Sequence, residues 1–393
     1  MGGVRPQGGR GVGRRLFRRR TGPSMTVPLL FANPKAQLES QRAEIEAAIQ
    51  QVFQAGTYIQ GPAHDDFERA FAEYVGVPHA VAVANGTDAL AIAMQALGIG
   101  DGDRVLVPSH TASPTISAIR QVRALPVFLD VDERSYVITV ESVHAALSKD
   151  IKAVLAVHLY GRPADSVELR RTAEEAGVVL VEDCAQAAGA RIGSRRVGSI
   201  GHAGCFSFFP TKNLGAIGDG GMITVHDAEV ASRMRRLRTF GWSKDRVCEE
   251  DGFNSRLDEL QAAILAVKLP GLDRANERRR DIARRYHTGL QDLPVDLPEH
   301  PSELQHVYHL FVIAVDDRPA LMARLKSHGI LAGVHYPIPN HLHPAHRAFC
   351  SSSLDRTERV ARRVLSLPMY PELSDSDVDR VIAAIRAHYE PKP

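Results

Sequence analysis

"KAVLAVHLYGRPADSVELRRTAEEAGVVLVEDCAQAAGA", Lys152 to Ala190, holds two apolar runs of strand length separated by a charged, helix-like segment. Near-continuous apolar runs suit strands buried on both faces, and alternation with helices implies neighbouring strands that run parallel. The same alternation extends from Phe67 to Val230 through "HAVAVAN", "DRVLVPS", "LPVFLDV" and "GGMITV". It predicts an α/β fold whose large domain is a mixed, mainly parallel sheet flanked by helices. Ligands of such sheets gather at the carboxyl ends of the strands. Four runs end in polar or glycine-rich residues, at Asn85–Asp88, Pro108–Thr111, His158–Arg162 and Glu182–Gln186, and the chemistry is expected there.

Beyond Asn254 the pattern becomes long, charged, amphipathic helices, with "RRRDIARR" (278–285) read as a solvated helix face. "HVYHLFVIAV" (306–315) follows as a strand, then "DRPALMARLKSHGI" and "SDSDVDRVIAAIRAHY" as helices, the last with a Ser or Asp N-cap. The chain divides on this reading into a large domain of residues 25–269 and a small C-terminal α+β domain of residues 270–393.

Of the 393 residues, 44% are hydrophobic and 24% charged, a soluble globular composition. No run approaches the roughly 20 apolar residues of a membrane span. The formal charge of +2 hides an asymmetry: residues 1–24 carry seven Arg and no acid. The rest of the chain then has 41 bases against 46 acids. The leader is read as a disordered, solvated arm, with nucleic-acid contact its sharper alternative, and the acidic body argues against general nucleic-acid binding. Four scattered cysteines without a C-x-x-C pair fit a reduced, cytoplasmic protein.

"VANGTDAL" places Gly86 and Thr87 where a strand enters a helix; their free backbone N–H groups and the helix dipole suit a phosphate, and the same residues are ordinary caps. Asp183, ending a buried strand, needs a cation or hydrogen bonds, and a protonated pyridine nitrogen is one such partner. Capping by Asp183 or Glu182, with Gln186 completing a capping box, is the plain alternative. In "SFFPTKNLGAIGDGG" (207–221) the glycines follow Lys212 and Asn213 comes next after it, so the segment is not a P-loop. A lysine in a dry, aromatic setting loses its proton more readily, and its amine can form a Schiff base. "GVHYPIPNHLHPAH" holds His335, His341, His343 and His346, but its prolines prevent a helix from aligning them on a metal, and no metal is expected.

"NGTDAL", "VEDCAQAAGA", "SFFPTKNLGAIGDGG" and "NSRLDELQAAIL", in that order, resemble the DegT-type sugar aminotransferases, pyridoxal 5'-phosphate enzymes of the aspartate-aminotransferase fold (fold type I). The resemblance runs from "GTYIQGP" near Thr57 to "VLSLPMYPEL" ending at Leu373. It implies that Lys212 binds the cofactor as a Schiff base and shuttles protons. Asp183 faces the pyridine nitrogen, Gln186 lies near the ring hydroxyl, and Gly86, Thr87 and Ser207 bind the phosphate. Asn254 reaches the phosphate of a neighbouring subunit, so the protein is a homodimer with shared sites. Tyr336 and His341 fall beside the sugar-nucleotide site, with a surface loop as the alternative. Where the family often has an aromatic ring covering the cofactor, this chain has Ala112, leaving His110 or His158 as replacements.

Relatives with histidine in place of the lysine are sugar dehydratases, so Lys212 argues for transamination. "SFFPTKNLGA" with "GDGG" is similar to enzymes that aminate C3 of a nucleotide-linked 3-keto sugar, here a 3-keto-6-deoxyhexose, with L-glutamate as the implied donor. C4 enzymes more often carry an "SFH" run. The alternatives are a C4 aminotransferase, a cyclitol or aminobenzoate-type relative, a non-catalytic regulator and a nucleic-acid binder acting through the leader.

Overall fold

The computed structural model describes residues 28–299, 304–350 and 353–390, and the leader of residues 1–24 lies outside them. Apolar runs become strands β1 (His79–Val83), β2 (Arg104–Pro108), β3 (Leu125–Leu129), β4 (Ile151–Val157), β5 (Val179–Asp183), β8 (Ala203–Ser207) and β9 (Gly221–Val225). The two-residue strands β6 (Arg191–Ile192) and β7 (Arg195–Arg196) fall between β5 and β8. The seven longer strands form one sheet in the order β1-β9-β8-β5-β4-β2-β3. Every neighbouring pair is parallel except those of β9, which runs antiparallel to β1 and β8. The sheet is mixed and mainly parallel, as expected.

Helix Gly86–Ala96 is apolar nearly all round and packs on β8 and β9 inside the larger core. On the opposite face Phe206 and Phe208 meet Phe67 and Phe71, with Phe71 edge-on to Phe206 at 4.9 Å. Because successive strand residues point to opposite faces, these two rings entering the core leave Ser207 on the ligand side.

A third core gathers Ile282, Tyr286, strands β11 (Phe311–Ala314) and β12 (Val364–Leu367), helix Asp375–Tyr389 and, from far upstream, Leu29. Strands β11 and β12 pair antiparallel, and β10 (Leu304–Gln305) crosses to pair with β6. The last helix starts at the expected cap, with Ser374 Oγ accepting from the Asp377 amide at 3.1 Å.

Two expectations change here. The strand read from "HVYHLFVIAV" begins only at Phe311, because the carbonyls of Tyr308 and His309 accept from the Arg279 guanidinium instead of a neighbouring strand. Arg279 itself leaves the solvated face assigned to "RRRDIARR". It is 3% exposed, also donates to the Met369 carbonyl at 3.0 Å, and burial lowers its pKa to about 10.

Candidate active site

A cavity of about 580 Å³ opens at the carboxyl ends of β1, β2, β4 and β5. Its walls include Gly86, Thr87, Asp183, Gln186, Ser207 and Lys212, so six of the expected cofactor residues, from three separate segments, meet in one place. Asn254 is exposed, pairs with Thr239 in an isolated bridge and does not line the cavity.

Asn85 caps the helix that begins at Gly86, its Oδ1 accepting from the Asp88 amide at 2.9 Å. The amides of Gly86 and Thr87 precede the first intrahelical hydrogen bond and remain available to an anion. Glycine is required by a close approach: a Cβ on Gly86 would stand 2.7 Å from Ser207 Cβ. The missing methyl lets the helix start and the end of β8 share one pocket wall.

Asp183 is 4% exposed, and among the described residues no cation lies within ion-pair distance of it. It accepts from the Thr115 hydroxyl at 2.9 Å and the Ala185 amide at 3.1 Å. Burial raises its pKa; the Ala185 amide, the Thr115 hydroxyl and the nearby Lys212 charge pull the other way. Such a carboxylate fits a cationic ring nitrogen. Desolvation also lowers the Lys212 pKa to about 8, with Asp183 opposing it. The aromatic run contributes less to that dryness than expected, since Phe208 faces the core and Phe209 is 50% exposed.

Gln186 does not complete a capping box. Its Oε1 accepts from the Tyr160 amide at 2.6 Å, and its Nε2 donates to the Tyr336 hydroxyl at 3.0 Å. Ala112 lines the cavity, whereas His110 and His158 do not. His158 is committed elsewhere: its Nδ1 accepts from the Ala164 amide and its Nε2 pairs with Glu182 Oε1 at 3.1 Å. His341 is likewise tied, to Ser109 Oγ at 2.7 Å and to Glu358 at 3.4 Å, away from the cavity.

Among the described residues the group of side chains close enough to hold a metal is His158, Glu182 and Cys184. Beyond the His158 bond, Glu182 Oε2 accepts from the amides of Gly198, Ile200 and Gly201. Burial would raise the Glu182 pKa, but His158 and those amides hold it below the ordinary value. The donor atoms are already occupied by protein, so the group is a structural knot joining β4, β5 and the turn before β8.

A sequence model of the DegT/DnrJ/EryC1/StrS aminotransferase family matches residues 39–386. The chain belongs to that family. Pyridoxal phosphate is the family's cofactor, and a free lysine amine, an unpaired buried carboxylate and a glycine-opened helix start are a donor set that fits it. This DegT-family aminotransferase is 44% identical over 359 residues to the dTDP-3-amino-3,4,6-trideoxy-alpha-D-glucose transaminase of Streptomyces venezuelae, covering 91% of this chain and 95% of that one. It is 42% identical over 352 residues to the UDP-N-acetyl-3-dehydro-alpha-D-glucosamine 3-aminotransferase of Acidithiobacillus ferrooxidans, covering 90% and 95%. The crystal structure of S. venezuelae DesV with a ketimine intermediate superposes with a TM-score of 0.90 at 42% identity, over 93% of this chain and 99% of that one.

Sequence reasoning missed Thr115, which holds Asp183 in this aminotransferase, and Tyr160, which holds Gln186. Thr115 lies four residues beyond the strand end flagged at Pro108–Thr111, in the first turn of helix Ser113–Gln121. Tyr160 acts through its backbone amide, which carries no residue-type signal.

Proposed function

We propose that this aminotransferase moves the amino group of L-glutamate to C3 of a nucleotide-linked 3-keto sugar, a 3-keto-6-deoxyhexose fitting the resemblance best. The observation that carries the reading is the Lys212 amine, its pKa lowered to about 8, on the wall of a cavity that Asp183 also lines. The two curated relatives bear the names of enzymes of 3-amino or 3-dehydro sugars, which favours C3.

Bound pyridoxal phosphate supplies a conjugated ring able to accept an electron pair. Lys212 Nζ would be the amine that holds it. Once released, the same nitrogen takes the proton from the donor's amino-bearing carbon and later delivers one to the sugar carbon that receives the amine. Asp183 would favour the protonated form of the ring nitrogen. The Gly86 and Thr87 amides and the Ser207 hydroxyl would hold the phosphate, Gln186 would serve the ring oxygen, and Tyr336, hydrogen-bonded to Gln186, would serve the sugar.

Among the described residues Lys212 is the sole cationic side chain of the cavity wall, which also carries Asp88 and Asp219. A dianionic phosphate therefore calls for help from outside the chain. Asn254, exposed and off its own cavity, is proposed to reach the partner's site in a homodimer. The four cysteines form no disulfide among the described residues, and no helix among them is long and apolar enough to cross a membrane. A cytoplasmic setting is proposed with the rest. The division into 25–269 and 270–393 is kept as a proposal too, supported by the separate C-terminal core, to which Leu29 is added.

The test is a panel of nucleotide-linked amino sugars run in reverse with 2-oxoglutarate. A yellow protein that bleaches with glutamate and accepts the 3-amino sugars supports the reading. Turnover of 4-amino sugars alone, or of cyclitols or aminobenzoates, moves the substrate to those alternatives. A colourless protein that takes up no cofactor leaves the regulator.

A further inference from the structure

Tyr160, in the turn after β4, closes a ring of hydrogen bonds beside the cavity. Its backbone lies at φ 60°, ψ 4°, the left-handed region that residues other than glycine seldom adopt. That turn aims its N–H at Gln186 Oε1, 2.6 Å away. An N–H only donates, so the oxygen end of the Gln186 amide is fixed there and the NH2 end points away, 3.0 Å from the Tyr336 hydroxyl. The ring returns through the chain. Tyr336 follows His335, and the His335 carbonyl accepts from the Tyr160 hydroxyl. One residue thus holds one member of the Gln186–Tyr336 pair with its amide and, with its phenol, the peptide that carries the other.

Counting protons gives the ring a direction. The single Tyr160 hydroxyl proton goes to a carbonyl, which can only accept. His110 Nε2, 2.7 Å from the same oxygen, must then be the donor, making His110 the neutral Nε2–H tautomer. Burial, which pushes the His110 pKa down to about 3, agrees. The Tyr336 oxygen receives the Gln186 N–H, and its own proton has no acceptor among the described residues. Burial lifts that phenol to about 12, against the Gln186 hydrogen bond, so the proton stays on at working pH. The second Gln186 amide proton also has no acceptor among the described residues.

We propose that Tyr160 is a positioning residue that makes the Gln186–Tyr336 edge of the site a donor-only surface, selecting an oxygen that accepts over a group that must donate. This rests on the aminotransferase reading, in which the acceptor is an oxygen of the cofactor ring or of the sugar substrate.

The test is a double-mutant cycle of Tyr160→Phe and Tyr336→Phe. It is read as the dissociation constant of pyridoxamine phosphate from the apoprotein, the KM for the nucleotide-linked amino sugar, and the melting temperature of the apoprotein. Tyr160→Phe keeps the backbone amide and removes the link to His335. Each single variant is expected to weaken one ligand about 3- to 10-fold, and the double variant to be no weaker than the worse single, because both act through one pair. Losses confined to pyridoxamine phosphate assign the acceptor to the cofactor, and losses confined to KM assign it to the sugar. Effects that multiply, or a Tyr160→Phe protein with unchanged constants, overturn the proposal while a bleaching wild type leaves the aminotransferase reading intact. Should Tyr160→Phe not fold, Gln186→Glu against Gln186→Ala decides: a carboxylate cannot donate, so the Glu variant must bind more weakly, and equal or tighter binding overturns the proposal. A wild type that takes up neither cofactor nor sugar fails the aminotransferase reading itself, and the donor surface with it.

Discussion

The Thr115 hydroxyl donates to the buried carboxylate of Asp183 at 2.9 Å, one of two hydrogen bonds that carboxylate receives among the described residues. The other comes from the main chain, so Thr115 is the side chain through which Asp183 can be tuned. Thr115→Val keeps the shape and removes the donor. Desolvation, already raising the Asp183 pKa, then meets less opposition, and the carboxylate is a poorer partner for a ring cation. A lost hydrogen bond to a charged group is worth about 1.5–3 kcal/mol. The expected outcome is cofactor affinity roughly 10- to 100-fold weaker with a near-normal fold, measured by equilibrium dialysis and circular dichroism.

How far the sequence anticipates such details depends on whether a signal is local. The strands β2, β4 and β5 are legible because burial on both faces demands unbroken apolar runs, and Gly86, Asp183 and Lys212 because each ends or follows such a run. The reversal of β9 is not legible: "GGMITV" is equally apolar whichever way it runs. Tyr336, packed against the larger core, is brought to Gln186 from 150 residues away, and no local pattern encodes that distance. Arg279 shows the same limit, being one of three consecutive arginines and the one the helix turns inward.

Lys212 should capture cofactor at lower pH than an ordinary lysine. Its neutral amine is the nucleophile, and a pKa lowered to about 8 means the neutral fraction grows as pH rises through 8 rather than through 10.5. The rate of appearance of the yellow band, on adding pyridoxal phosphate to apoprotein, is expected to climb between pH 7 and 9 and then level. Lys212→Ala should give no such band at any pH. A wild-type rate still rising steeply beyond pH 10 would contradict the desolvated amine.

His341 is held by Ser109 and Glu358, so its loss should be felt in the fold before the substrate. The ring is 4% exposed, and replacing it by Ala removes two hydrogen bonds together with packing. The expected cost is about 2–4 kcal/mol of stability, read from denaturant unfolding, with a KM for the nucleotide sugar within about twofold of wild type. A large KM change at unchanged stability would return His341 to the sugar site.

Asn254 offers a test of shared sites that needs no structure of the dimer. If it serves the neighbouring subunit's phosphate, Lys212→Ala and Asn254→Ala disable opposite halves of a composite site. A mixed dimer then keeps one site with both residues intact, while the other carries both lesions. Mixing the two inactive variants under exchange conditions should restore up to about one quarter of wild-type activity, since half the dimers are mixed and each has one working site. Activity that stays at the level of the separate variants, with exchange demonstrated by differently tagged chains, would place Asn254 in its own subunit's chemistry or outside the site altogether.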